Sequence, residues 1–365
     1  MNSTDKNTDR HLPAEWEPQS GVQLTWPHKD SDWGCEDMTA VVNCFASIAA
    51  EISKRELVLI VCHDAVKTRQ DLHTDTNMDN VVMVQMESND TWARDHAAIA
   101  VFDKGQKTLL DFRFNGWGMK FAANKDNLIS RRLMLEDVFP DDVVLISKQD
   151  FILEGGSIES DGNGSLLTTS SCLLSENRNE QLGQQGISEE LVNDFGLNTS
   201  DDILWLNNGA IDGDDTDGHI DTLARFAPDN GILYVQETDE DAEDYYDMKL
   251  MEDELKAMKN QLGEPYQLIP LPTAKPLTDD GSLMLDAEGG PLPATYANYL
   301  VINGAVLVPT YNNPPLDSIA LKQIASVFKD REIIGIDCRI LTRQHGSLHC
   351  VTMQYPEGFL RRIPN

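Results

Sequence analysis

Ser157-Ile-Glu-Ser160, Asp161-Gly-Asn-Gly164 and Ser165-Leu-Leu-Thr168 are two short strand-forming runs around a glycine-bearing turn. Glycine enters positive φ without a steric penalty, so the turn reverses the chain tightly and the spacing predicts a hairpin with a two-residue loop. A strand that returns on itself does not belong to a doubly wound sheet, in which each strand is followed by a helix. Outward from the hairpin, short β-rich runs recur at 22–26, 56–62, 81–86, 97–102, 108–113, 143–145 and 165–169, then at 203–206, 232–236, 300–302, 305–309, 332–336 and 350–354. Helical spacing of apolar residues appears between some of them, at 37–54, 127–139 and, after Pro314-Pro315, at 316–328. The pattern is mixed α/β, built from units of strands plus one helix, although no exact sequence repeat marks the units.

Residues 237–293 change character, from an acidic run through a charged amphipathic helix at 246–262 to a Pro/Gly-rich stretch at 270–293. Strand signals resume afterwards, so the segment reads as an excursion within one domain spanning residues 1–365. The net charge of −32, from 61 acidic and 29 basic residues, argues against nucleic acid or an anionic membrane as partner and favours cations. The same surplus also serves solubility. No apolar run approaches the roughly 20 residues that span a bilayer. The polar start, residues 1–20, lacks a secretory pattern and points to the cytoplasm. Six cysteines without a C-x-x-C pair indicate neither a disulfide framework nor a zinc knuckle.

Four clusters carry chemistry. Ala210 to Asp221 is rich in carboxylates, but as a calcium loop started at Asp212 it puts Asp217 where glycine belongs and Leu223 where glutamate belongs. What remains is His219 with Asp221 two residues on and Asp215 four before; in an extended segment His219 and Asp221 share a face. Ser88-Asn-Asp-Thr-Trp-Ala-Arg-Asp95 follows an apolar strand and offers Asp95 and Trp92 to a cation, with Arg94 read as a structural ion pair. Phe151-Ile-Leu-Glu-Gly-Gly-Ser157 places Glu154 at a strand end beside glycines that admit close backbone approach. Gln344-His-Gly-Ser-Leu-His-Cys350 sets a cysteine beside a polar loop. Cys44 and Cys62 lie on apolar faces, with Cys62, next to His63, the rival of Cys350 for reactivity.

In this order the segments resemble the agmatine deiminase family, bacterial peptidylarginine deiminase-like proteins included. The resemblance covers nearly the whole chain: Leu12-Pro-Ala-Glu-Trp-Glu-Pro18, Thr25-Trp-Pro27, Asn89 to Asp95, Phe114-Asn-Gly-Trp-Gly118, Leu153 to Ser157, Asp214 to Asp221, Asn303 to Pro314, and His349-Cys350. It implies a pentein, an α/β propeller of five strand-rich modules around one site. It further implies Cys350 as nucleophile, His219 as general acid and base, Asp95, Asp221 and Glu154 as the carboxylates on the guanidinium, Trp92 as pocket wall, and Asp215 facing the far amine of agmatine. The chain departs from the usual pattern at His345-Gly-Ser, at Thr222 and at Ala97-Ala98, and its Pro/Gly-rich stretch is long.

A guanidinium is planar, delocalised and a poor electrophile, so carboxylates must hold it face-on to a thiolate. His219 would then protonate departing ammonia and later activate water on the thiouronium intermediate, with no metal or organic cofactor required. Peptidylarginine deimination is the alternative activity, and an acidic calcium- or cation-binding protein the alternative without catalysis. Self-association as a homodimer stays open.

Overall fold

The computed structural model describes residues 10–362; residues 1–9, part of the polar start read above, lie outside the described residues. The hairpin is present: Ile158–Ser160 pairs antiparallel with Leu166–Thr169, Ser160 opposite Leu166. The loop is therefore residues 161–165 and not a two-residue turn. Asp161 explains the extra length, because its Oδ1 accepts from the backbone N–H of Asn163 and Ser165, both at 2.8 Å, and so folds the loop around itself.

Leu166–Thr169 also pairs in parallel with Ile203–Leu206, which is delivered by the helix Gly183–Phe195. Parallel strands need such a crossover. The same unit, an antiparallel hairpin followed by a parallel third strand, recurs in three more sheets. These are Ile99–Asp103 with Gln106–Arg113 and Val144–Ile152, Ala224–Ala227 with Gly231–Gln236 and Gln267–Pro272, and Leu300–Ile302 with Ala305–Thr310 and Glu332–Asp337. The fifth sheet joins both ends of the fold: Thr352–Pro356 runs antiparallel to Gln19–Thr25, which pairs in parallel with Leu57–Cys62, and that with Val81–Gln85.

Local chemistry sets the elements. Asp37 caps the helix Met38–Ser53, its Oδ1 accepting from Thr39 and Ala40 N–H, and Val41, Phe45, Ile48 and Ile52 on one stripe are buried. Leu57–Cys62 is buried at every position, as befits an inner parallel strand covered on both faces. Pro314 opens the helix Pro314–Val327, where its missing N–H costs nothing.

Two expectations change. The helix at 127–139 shrinks to Asp126–Leu128 and Ile129–Leu133, because Asp137 sits at φ +31° and Val138 and Phe139 turn into the core beneath Leu57, Leu59 and Val61. Within 237–293, the helix Tyr245–Ala257 buries Met248, Met251 and Leu255, and Gln267–Pro272 completes a sheet, so the excursion narrows to the turns after Pro272. No helix among the described residues is long and apolar enough to cross a membrane. Loops from all five sheets meet at the centre: Asp95 and Cys350 flank the closing sheet, Trp117 and Glu154 follow strands of a second, and Cys172, His219 and Asn298 come from the other three.

Candidate active site

Cys350 sits just ahead of the strand Thr352–Pro356, buried, its Sγ 3.9 Å from Asp221 Oδ2. Asn298 fixes this corner: its Oδ1 accepts from the N–H of His349 at 2.8 Å and of Cys350 at 3.2 Å, while its amide donates to the Asp221 carbonyl at 3.3 Å. Gly346 lies flat on Trp92, where an added Cβ would come within 2.2 Å of the indole. Cys62, the rival, ends an inner strand within the apolar core and makes a long contact to the Val84 carbonyl at 3.8 Å.

His219 and Asp221 are both completely buried, but not because they alternate along a strand. His219 has φ −58° and ψ 138° and caps the short helix Ile220–Leu223, so Asp221 enters the site from a helical turn. His219 Nδ1 lies 3.6 Å from Asp95 Oδ1, and Nε2 lies 3.9 Å from Glu154 Oε2, both longer than hydrogen bonds. Among the described residues, neither ring nitrogen nor Asp221 Oδ1 has a hydrogen-bond partner. Asp95 receives Gly156 N–H on Oδ1 at 3.2 Å and the Trp117 indole N–H on Oδ2 at 3.0 Å. Glu154 is held by Arg178, whose Nε reaches its two oxygens at 3.1 and 3.0 Å, so it faces His219 more than the cavity.

Above the thiol is a cavity of about 160 Å³ whose walls include Trp92, Asp95 and Asp215, with Asp32, Asp90 and Trp117 beside them. Burial, then Asp221 and Asp95, push the Cys350 thiol well above its ordinary range. Burial raises Asp95 to about 6 despite the pull of His219, and raises Asp215 to about 6 against His345. Asp90 rises to about 7 through burial and the charges of Asp32 and Asp126. For His219 burial works the other way, but Asp95, Cys172 and Glu154 outweigh it and hold the imidazolium well above its usual value.

Several residues that shape the site went unassigned in the sequence. Glu15 Oε2 meets His349 Nε2 at 2.7 Å, and His349 Nδ1 meets Asp221 Oδ2 at 2.7 Å, so a histidine spans two carboxylates behind Cys350. Arg225 donates to Glu15 and Glu159 at 2.8 Å each. Glu15 and His349 lie inside quoted motifs; Asn298, Arg178 and Arg225 carry no local signal. Arg94 does form a structural contact, 3.8 Å from Glu15.

Among the described residues two groups could offer three ligand atoms to a metal, Glu154–Cys172–His219 and His28–Asp30–His63. In the first, the Arg178 guanidinium already occupies the cation position at Glu154. In the second, His63 Nε2 accepts the Ser88 N–H at 2.9 Å, leaving its lone pair engaged. The Asp-rich loop serves itself: Asp214 accepts from Thr216 and Gly218 N–H, and Asp217 pairs with Lys120 and Arg178. That use of oxygens is a turn's, not a calcium site's.

The sequence profile of the Porphyromonas-type peptidyl-arginine deiminases matches residues 11–356. A Vibrio parahaemolyticus protein named as a candidate agmatine deiminase is 33% identical over 373 residues, 98% of this chain and 99% of that one. A Porphyromonas gingivalis structure named as a candidate arginine deiminase superposes with TM-score 0.87 at 48% identity, covering 96% of this chain and 100% of its own. A C. jejuni agmatine deiminase with substrate bound gives TM-score 0.83 at 36% identity, covering 96% and 97%. The five small mixed sheets are those of the penteins.

Proposed function

Since the chain belongs to the Porphyromonas-type peptidyl-arginine deiminase family, guanidino-group hydrolases that include the agmatine deiminases, we propose that it hydrolyses agmatine to N-carbamoylputrescine and ammonia. One observation carries the choice of substrate. The cavity walls present Asp32, Asp90, Asp95 and Asp215, and among the described residues no lysine or arginine. The nearby Lys120 is engaged by the Asp215 carbonyl at 2.6 Å and Asp217 at 2.7 Å. A ligand with a guanidinium at one end and an ammonium at the other suits these walls, whereas the carboxylate of free arginine is repelled.

Asp95 and Asp221 take the guanidinium N–H groups; Asp221 Oδ1 is buried and otherwise without a partner, which a planar donor remedies. Trp92 lines the cavity and Asp215 faces the far ammonium. Glu154, with Arg178 on its oxygens, orients His219 and only secondarily meets substrate. On binding of the cation the Cys350 thiol releases its proton to solvent, Sγ adds to the guanidinium carbon, and the C–N bond breaks as His219 gives its proton to the leaving ammonia. Water then attacks the resulting thiouronium and gives one proton to His219, and as the C–S bond breaks its second proton passes to the departing sulfur, so that the ureido product leaves a free thiol.

A thiol raised by burial and two carboxylates is protonated in the free enzyme, and the cationic substrate reverses that by neutralising Asp95 and Asp221. Accordingly, alkylation of Cys350 by neutral iodoacetamide should stay slow at pH 7.5 and climb only above about pH 9. A fully formed thiolate at neutral pH without ligand rules out this activation.

The test of substrate is ammonia and ureido-product release from agmatine, free arginine and an arginine-containing peptide. Agmatine should lead arginine by at least about 100-fold in kcat/KM. Turnover of the peptide alone would assign the protein to protein-bound arginine, a reading favoured by Phe121, which lines the cavity while 43% exposed at its rim.

A further inference from the structure

The stretch Phe114-Asn-Gly-Trp-Gly118 has no part in the chemistry above, yet its backbone is unusual. Gly116, Trp117, Gly118 and Met119 have φ of +72°, +53°, +78° and +70° in succession. Two of the four are bulky L residues that rarely adopt this region, and such strain persists only where the surroundings over-determine it. Here they do. Asn115 Oδ1 accepts the Gly118 N–H at 3.0 Å, Lys120 ties the loop to Asp215 and Asp217, and the Trp117 ring stands edge-on to Phe114 and Phe121 at 5.0 and 5.5 Å.

The product of this geometry is one contact, the indole N–H on Asp95 Oδ2 at 3.0 Å. With Gly156 N–H on Oδ1, donors from two loops fix both oxygens of the carboxylate. Asp95 otherwise faces groups of mixed effect: His219 attracts its charge, while Asp221, Glu154 and the Cys350 sulfur oppose it or are opposed by it. A buried carboxylate in that company needs donors to remain ionised.

We infer that Trp117 is a positioning residue, whose indole N–H holds Asp95 oriented and charged for a guanidinium, and that the left-handed loop 116–119 exists to deliver it. This rests on the deiminase reading of the site but not on agmatine as the substrate. The alternative is that Trp117 is only an aromatic wall.

The experiment is the pH dependence of Cys350 labelling by chloroacetamidine, a planar cationic electrophile that needs the carboxylates but not the distal pocket, with agmatine kcat/KM in parallel. Trp117→Phe and Trp117→Leu both keep apolar bulk and remove the donor, so a fold defect in one leaves the other; melting curves identify it. Loss of the donor should move the acid limb up by about one pH unit. With Asp95 starting at about 6, labelling at pH 6 falls about fivefold and converges on wild type above pH 8. Met119→Gly, which relaxes the neighbouring φ without touching Asp95, should keep the wild-type limb. An unshifted limb, or a loss equal at every pH, overturns the inference and leaves Trp117 as packing. A shifted limb with no agmatine turnover in wild type would retain the inference and reject the substrate.

Discussion

Cys350→Ala removes guanidine turnover almost completely, with kcat expected to fall by roughly four orders of magnitude or more. The reason is that the other groups cannot substitute. In the proposed mechanism His219 and the carboxylates orient and move protons, but none offers a polarisable nucleophile to a delocalised cation, and the Sγ is the only such atom against Asp221 in the cavity wall among the described residues. Binding should survive, because the proposal gives the grip to Asp95 and Asp221, so calorimetry should find the dissociation constant of the variant within about tenfold of wild type. Intact-mass measurement under single-turnover conditions should find an adduct on wild type and none on the variant. Residual turnover within tenfold of wild type would remove Cys350 from the chemistry.

Arg225→Met should be the most destabilising change near the site, by about 3–5 kcal/mol in urea unfolding. Arg225 is buried, donates to Glu15 and Glu159, reaches the Ala297 and Tyr299 carbonyls at 3.2 and 2.8 Å, and lies over the Tyr299 ring at 4.7 Å. Methionine fills the volume but takes one donor from Glu15, which keeps His349 and the Val301 N–H, and takes the Arg225 donors from Glu159 and two carbonyls. Burial alone would raise Glu15, but His349 first and Arg225 second draw it well below the usual range. Replacing Glu15 by Gln in the same chain should recover part of the loss, since one of the two buried carboxylates that faced the missing cation is neutralised and the sites couple. A cost below about 1 kcal/mol would mean that water reaches the cluster.

The candidate site was legible where its residue types lie close in sequence. Asp215, His219 and Asp221 fall within seven positions, and Trp92 and Asp95 within four, so the carboxylates and histidine announce themselves before any fold is known. Glu15 could not be found that way: it meets His349 across 334 positions, and a lone glutamate near the N-terminus reads as surface. Asn298 likewise acts through His349, Cys350 and Asp221, which the fold brings to it. Of the architecture, strands flanked by turn residues were visible, while the helix Gly183–Phe195 was hidden by its own glycines and glutamines. The charged face of Tyr245–Ala257 disguised an integral element as an insertion, because its four buried positions are sparse among acids.

The closing sheet ties the order of synthesis to competence. Thr352–Pro356 is made after every other strand of the ring, and until it docks beside Gln19–Thr25 that strand presents an open edge and Cys350 has no fixed place. A nascent chain can carry His219, Asp95 and Asp221 out of the ribosome without a working site among them. On the deiminase reading, the place of Cys350 beside Asp221 therefore depends on the pairing of two segments more than three hundred residues apart.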